Sequence, residues 1–517
     1  MELILFIISI LSFIFSFFVI LKHNIHIFQI NFYKVEPQLK YIAKSFSKLM
    51  ITSILLVAAG IFAVFGKQFF IGYAAILLAV GIINIERNVK KKIVYTARVK
   101  RLIISSYIFA IIVGGLVYLF TRSYSMTLIS LAYVNIFLPF IMLFVNMLNL
   151  PINSMINKHY INDAKKIIDS MPNLVVIGVT GSYGKTSVKN FLYKCLSAKY
   201  NVLITPENYN TTLGVVKTIR NNLKATHEIF ICEMGATHVG DIKEICDLVH
   251  PKYGIITSIG PQHLESFKSV ENIISTKFEL ADSVDSGIVF LNYDNEYIKN
   301  HKIDKNVVSY GVDNKELDYY AYDLKSSANG ITFKMKDDSG NECEFLSKVI
   351  GKHNIENIVG AIAVANKLGI PFSKLQTRVR AIEPVEHRLQ MIKKGEDIII
   401  DDAYNSNPVG SKSALETLNT FDGVRIVVTP GMIELGEKEK ELNFEFGKYC
   451  ARNADYVVLV GKKQTKPIYD GVISEKFDES KLIVTDTLNE ALQKVYAINT
   501  NGKRRVVLLE NDLPDNY

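Results

Sequence analysis

The chain has 517 residues, 49% of them hydrophobic and 21% charged, with 59 Lys/Arg against 51 Asp/Glu and a formal net charge of +8. That length predicts two to four domains, and the composition excludes a disordered, collagenous or disulfide-knotted chain. Residues 1–150 hold 14 Lys/Arg and 3 Asp/Glu, while the remaining 367 hold 45 and 48, so the basic excess sits in the most apolar third. A membrane explains that distribution better than nucleic acid does.

Residues 3–21 (LILFIISILSFIFSFFVIL) are uncharged and long enough to cross a hydrocarbon core, which takes about 20 helical residues. No Lys or Arg precedes the run and no small-residue cleavage site follows it, which favours a retained anchor over a signal peptide. Runs at about 50–65, 68–85, 102–120 and 125–149 share its character, so five spans are expected. With the N-terminus outside, the segments 22–49 and 86–101 face the cytoplasm with 5 and 7 Lys/Arg, and the outer segments keep only Lys67 and Arg122. That asymmetry obeys the positive-inside rule and delivers the rest of the chain to the cytoplasm. Lys40, Lys44 and Lys48 recur every four residues beside Ile42, Phe46 and Leu49, which suits an interfacial helix on anionic lipid as well as ordinary loop basicity. Asn135, Pro139 and Asn146 fall in the last run, where they could line a headgroup cleft or bond helix to helix.

All five cysteines lie after residue 150, without a CxxC pair, and read as reduced cytosolic thiols. Short β-branched runs at 174–180, 228–235, 253–260, 287–292, 397–402, 425–429, 456–461, 481–485 and 505–510 alternate with helical stretches. The expected fold class is α/β with parallel sheets holding ligands at the carboxyl ends of strands. Three domains are expected: a helical membrane domain over 1–150, a nucleotide-binding domain over 151–384 and a Rossmann-like domain over 385–517. IEPVEHRLQ (Ile382 to Gln390) is the candidate hinge between the last two.

LVVIGVT runs as a strand into TGSYGKTS, comprising Thr180, Gly181, Ser182, Tyr183, Gly184, Lys185, Thr186 and Ser187, and a helical pattern follows. A glycine loop between a strand and a helix N-terminus surrounds phosphates with backbone N–H groups and the positive end of the helix dipole. Lys185 would reach the terminal phosphates and Thr186 a bound Mg²⁺. The usual GxxxxGK[ST] spacing is not met, because Val179 occupies the first glycine position.

TGSYGKTS resembles the phosphate loop of the Mur ligase family, which usually reads TGTNGKTT and shares that departure. Further likenesses follow in family order: NYNTTLG (208–214), CEMGATHVGDI (232–242), GPQHLESF (260–267), STKFEL (275–280), GKHNIENIVGA (351–361), EHRLQ (386–390) and DDAYNSNP (401–408). The resemblance covers about 170–510 and is nearest to the branch that adds D-alanyl-D-alanine to a UDP-muramoyl tripeptide.

It implies an ATP-dependent, ADP-forming peptide ligase that activates a carboxylate as an acyl phosphate. Such chemistry needs cations and preorganised donors more than a nucleophilic side chain. Glu233 ends an apolar strand where a carboxylate can meet nucleotide-bound Mg²⁺; by resemblance it is the family's metal ligand. A lone His is ordinarily structural, but His263 is similar to the family's second-metal ligand. Lys277, ordinarily a solvent-facing helix lysine, aligns with a lysine whose carbamate helps to hold a second Mg²⁺. Asn292 and His353 resemble purine-side residues, as do Asn354 and Asn357, although Asn354 is also well placed to cap a helix. Arg388 and Asp402 resemble a pair that reaches ATP on domain closure, and could otherwise form an interdomain ion pair. Asn210, Thr211, Tyr404, Asn405 and Asn407 resemble substrate-side residues in sequences that are also turn-rich.

The resemblance begins where the membrane runs end, so the family's UDP-sugar-gripping domain has no counterpart in 1–150. A multi-pass anchor in the cell membrane, contact with membrane lipid, a lipid-linked or other cell-wall precursor as acceptor and an amino acid or dipeptide as amine are the expectation. Membrane partner proteins are compatible with it, and nucleic acid is not expected. A poly-γ-glutamate-synthase-like ligase, or a nucleotide-gated membrane scaffold with a vestigial site, are the alternatives.

Overall fold

The computed structural model describes residues 2–31, 33–85, 92–262, 264–327, 330–403, 407–433 and 435–512. It contains two compact units, one reaching to His159 and one spanning Tyr160–Leu513.

The first unit is helical: α1 (Glu2–Ile30), α2 (Val35–Lys44), α3 (Phe46–Val64), α4 (Phe70–Ile83), α5 (Ala97–Thr121), α6 (Tyr124–Ile136) and α7 (Leu138–Asp169), the last continuing into the second unit. Their apolar side chains pack around Phe17, Leu21, Tyr73, Leu77, Leu128 and Met142, while α3 and α5 turn Ile54, Ile61, Ile108 and Ile111 outward. Among the described residues three helices, α1, α5 and α7, are long and apolar enough to cross a membrane, or four if α2 and α3, bent by 79°, form one broken span. The expected five spans are corrected on this point. The run at 68–85 yields only the 14 residues of α4, about 21 Å of helix, short of a core about 30 Å thick. The run at 125–149 breaks at Phe137, because Pro139 has no N–H to offer the Asn135 carbonyl. Asn135 therefore lies on α6, where it donates to Ser16 Oγ at 2.9 Å, and Pro139 and Asn146 on α7. The lysine series is likewise split: Lys40 and Lys44 belong to α2, the helix breaks at Ser45, and Lys48 follows in α3.

The second unit carries two sheets. β1 (Val175–Thr180), β2 (Val202–Ile204), β3 (Ile229–Glu233), β4 (Tyr253–Ile256), β5 (Ile288–Asn292), β6 (Val307–Val312), β7 (Tyr319–Ser327), β8 (Gly330–Lys336) and β9 (Glu342–Ser347) form the first. Its order is 2-3-1-4-5-6-7-8-9, parallel through β7 and antiparallel from there to β9. The chain leaves β1 toward β3 and later returns to β4 on its other side, so the end of β1 is a switch point where ligands bind in open parallel sheets. The second sheet is built from β10 (Gln390–Lys394), β11 (Asp397–Asp402), β12 (Val424–Thr429), β13 (Tyr456–Val460), β14 (Leu482–Thr485) and β15 (Arg505–Glu510), in the order 10-11-15-12-13-14. Among its described strands only β10 runs antiparallel to its neighbour.

The helices that position the site are α8 (Lys185–Leu196), α9 (Thr212–Asn222), α10 (Asp241–Val249), α11 (Leu264–Phe267), α12 (Val270–Asp282), α13 (Glu296–Lys299), α14 (Lys352–Lys367), α15 (Phe372–Arg380) and α16 (Pro408–Asn419). Phe191, Leu192 and Cys195 of α8 share one core with Ile355, Ile358 and Ile362 of α14 and with Ile177 and Val179 of β1. Each such buried side chain contributes about 1.5–3 kcal/mol relative to exposure, which fixes the first turn of α8 over the end of β1.

Candidate active site

The phosphate loop joins β1 to α8 as its strand–glycine–helix pattern demands. Gly184 caps α8 with φ 79°, a left-handed conformation that costs a side chain about 1–2 kcal/mol, and an added Cβ would stand 2.7 Å from Asn357 Oδ1. Ser182 N–H donates to the Ser258 carbonyl at 2.7 Å and its hydroxyl to the Gly260 carbonyl at 3.1 Å. The Thr257 hydroxyl donates to the Tyr183 carbonyl, and the Thr180 hydroxyl to Met234 O at 3.0 Å. The loop is thus tied to the ends of β3 and β4 by the protein's own hydrogen bonds. Ser187 is buried behind it. The Tyr183 hydroxyl is buried without a hydrogen-bond partner among the described residues, and burial pushes its pKa up.

Lys185 folds back over the loop, donating to the carbonyls of Gly181 at 2.7 Å and Ser182 at 3.0 Å. Burial pushes its amine down to about 8; Glu233 opposes the shift and Arg388 adds to it.

Glu233 is the hub. Its Oε1 accepts from Thr186 Oγ1 and from Asn210 Nδ2, each at 3.1 Å, and its Oε2 lies 3.0 Å from Lys189 Nζ, both side chains being 2% exposed. Lys189 also donates to the Glu207 carbonyl at 2.6 Å. Burial alone would raise the Glu233 carboxyl, but Lys189 and Lys185, with the Asn210 amide, hold it below its ordinary value. An ionised, inward-facing carboxylate beside a hydroxyl is the oxygen donor set that suits a hard divalent cation.

Lys277, on α12, is 3% exposed. Burial and then Lys185 push its amine well below the ordinary lysine value, against Asp241 and Glu279. Its Nζ lies 6.0 Å from the centroid of the Phe267 ring. Among the described residues no group of three or more His, Cys, Asp and Glu could by itself hold a metal. His263 lies outside the described residues.

The Asn292 amide, ending β5, donates to the Thr257 carbonyl at 2.9 Å and accepts from Asp294 N–H at 3.1 Å, so it braces the β4 and β5 ends. His353 Nδ1 is 2.7 Å from Ser413 Oγ of α16, and burial lowers its pKa to about 4. Asn354 does not cap α14: Gly351 holds that position with φ 93°, and the Asn354 amide donates to Ile350 O at 2.8 Å. Thr211 and Asn407 serve as side-chain caps of α9 and α16, accepting from Gly214 N–H at 3.4 Å and Gly410 N–H at 2.8 Å. Tyr404 and Asn405 lie outside the described residues.

The segment between α15 and β10 brings the second sheet's charges to the first. His387 and Leu389, flanking Arg388, take left-handed conformations with φ 57° and 49°, strain that costs of order 1–3 kcal/mol at each residue. Asp402 Oδ1 accepts from Leu389 N–H at 2.9 Å. Burial raises the Asp402 carboxyl to about 6, opposed by that N–H and by Arg388. Arg388 therefore acts electrostatically on both Asp402 and Lys185. Lys189 is the member of this cluster that sequence reasoning missed; its signal is a position one helical turn after Lys185 in KTSVK.

The Mur ligase middle domain matches residues 179–365, and the Mur ligase glutamate ligase domain matches residues 387–509. The chain belongs to the Mur ligase family. It is similar to the UDP-N-acetylmuramoyl-tripeptide–D-alanyl-D-alanine ligase of Escherichia coli, 28% identical over 342 residues that cover 65% of this chain and 75% of the relative. The Bacillus subtilis enzyme of the same name is 31% identical over 291 residues, 56% of this chain and 63% of the relative. Among solved structures, MurF from Acinetobacter baumannii superposes with a TM-score of 0.62 at 24% identity, covering 69% of this chain and 77% of its own. MurF from Thermotoga maritima in complex with ADP gives 0.60 at 24%, covering 68% and 80%. Those structural likenesses establish the fold of the Mur ligase core. At the level of the family, the chain is an ATP-dependent amino-acid or peptide ligase.

Proposed function

We propose that this Mur ligase is anchored in the cell membrane by its apolar helices and joins an amino acid or short peptide to a carboxylate borne by a lipid-linked cell-envelope precursor. The observation that carries the reading is the Glu233 hub, with Thr186 and Asn210 at 3.1 Å and Lys189 at 3.0 Å, at the mouth of a preformed phosphate loop. The acceptor carboxylate attacks the γ-phosphoryl group, ADP leaves, and the amine displaces phosphate from the resulting acyl phosphate. Lys185, released from the Gly181 and Ser182 carbonyls, meets the phosphates, and Arg388, carried on the hinge segment itself, follows. Thr186 and Glu233 would hold one Mg²⁺, and His263 with Lys277 a second. The ions supply charge neutralisation on the phosphoryl oxygens. A buried amine with lowered proton affinity is the form that adds CO₂ and loses a proton to become a carbamate, so Lys277 is suited to that modification.

Tethering confines enzyme and lipid-linked acceptor to one surface and raises their effective concentration. The test uses full-length protein in nanodiscs, with ADP release followed across amino acids, dipeptides, and soluble and lipid envelope fractions. Release that needs an amine together with the lipid fraction is expected. Release with soluble UDP-linked acceptors alone would overturn the lipid-linked acceptor, and equal hydrolysis without either substrate would overturn the ligase reading.

A further inference from the structure

At the N-terminal end of α5, Arg98 and Arg101 are three residues apart on one face of the helix. Gln29 of α1 fastens the entry to that helix, donating to the Val94 carbonyl at 2.9 Å and accepting from its N–H at 3.0 Å. The Arg98 guanidinium stacks on the Tyr33 ring at 3.9 Å. Arg101 Nη2 donates to Asn153 Oδ1 of α7 at 2.7 Å, and one turn earlier Asn149 Oδ1 accepts from Ser105 Oγ at 3.3 Å. Asn149 and Asn153 are each 7% exposed. Three donors in this cluster are buried and unused among the described residues: Arg98 Nε, Arg101 Nε and Asn149 Nδ2.

No carboxylate answers these charges among the described residues. Residues 1–150 hold three acidic side chains. Glu2 begins α1, Glu36 pairs with Lys40 at 3.2 Å, and Glu86 lies outside the described residues. Two like charges with buried donors in an apolar unit are costly unless an anion satisfies them. Guanidinium forks match phosphate oxygens in a bidentate geometry, and the first turn of α5, whose Val99 N–H is capped by Thr96 Oγ1 at 3.2 Å, adds the positive end of its dipole. Beside the cluster, α7 exposes Met147, Leu148 and Ile152, at 55%, 56% and 49%. That apolar flank suits an acyl chain and would be idle beside a free ion.

We propose that Arg98, Arg101 and Asn149 form a binding site for the phosphate of an anionic lipid headgroup. The site rests on reading the first unit as membrane-embedded and is independent of the ligase chemistry.

The test takes delipidated full-length protein in detergent and measures, by native mass spectrometry, retention of phosphatidic acid against phosphatidylcholine of identical chains, with inorganic phosphate as competitor. At least tenfold preference for phosphatidic acid is expected, with inorganic phosphate failing to displace it at matched concentration. Arg98→Gln and Arg101→Gln should each lower retention tenfold or more, Arg101→Lys less, and Lys40→Ala not at all. No headgroup preference in the unmodified protein would overturn the site without recourse to any variant, as would equal loss in Lys40→Ala. Displacement by inorganic phosphate as effective as by lipid would overturn the lipid assignment. Because ADP release is assayed separately, failure here leaves the ligase reading standing, and the reverse.

Discussion

Lys189→Met removes one charge from a pair whose side chains are 2% exposed and 3.0 Å apart, while keeping the length of the side chain. Breaking a buried pair from one side costs about 3–5 kcal/mol, because the remaining charge is stranded. Thr186 and Asn210 still donate to Glu233, which places the expected cost near the lower end, about 3 kcal/mol. For a domain of this size 1 kcal/mol shifts Tm by about 2–4 °C, so a fall of about 6–12 °C is expected. The chain contains no tryptophan, so calorimetry or far-UV circular dichroism of the full-length protein in detergent is the suitable assay. Adding Glu233→Gln should restore most of the loss, since removing both charges leaves neither one stranded. Glu233 is held below the ordinary carboxylate value when folded, so its stabilising contribution is present above about pH 4.3 and is lost as pH falls. The gap between wild type and Lys189→Met should narrow accordingly in acid. Additive losses in the double variant, or a gap that widens in acid, would refute the hub as described.

Burial lowers His353 to about 4 when folded, against about 6.5 for a free side chain, so the unfolded chain binds more protons between these values. Stability should therefore fall as pH drops from about 6.5 toward 4, and His353→Gln should flatten that part of a thermal-unfolding profile. Lys277→Ala should abolish ADP release and be partly rescued by small carboxylates, with intact protein carrying the mass of one CO₂ on Lys277 under gentle ionisation; neither rescue nor added mass would sink the carbamate. Gly184→Ala, forced to φ 79° with its Cβ 2.7 Å from Asn357 Oδ1, should weaken ATP binding at least tenfold in calorimetric titration. Asn407→Ala, removing the 2.8 Å cap bond to Gly410, should cost about 1 kcal/mol in thermal unfolding.

All nine β-branched runs read from the sequence occur as strands, because parallel strands buried on both faces leave continuous apolar runs. β8 eluded the same reading: GITFKMK alternates in burial, and its lysines dilute the apolar signal. The phosphate loop was legible because its residues are contiguous, and Lys189 was not, because its partners Glu207 and Glu233 come from elements remote in sequence. Thr211 and Asn407 cap α9 and α16, a local role that their motifs did not single out and that is compatible with the substrate-side reading. The membrane runs misled where hydropathy spoke of length and Pro139 decided continuity.

The most direct test of the central claim is the stoichiometry of ADP to newly formed amide, with the full-length protein in nanodiscs, an amine and the lipid envelope fraction. One ADP per amide-linked lipid product, identified by mass, is the predicted result. ADP accumulating with no amide product under any substrate pairing would contradict it.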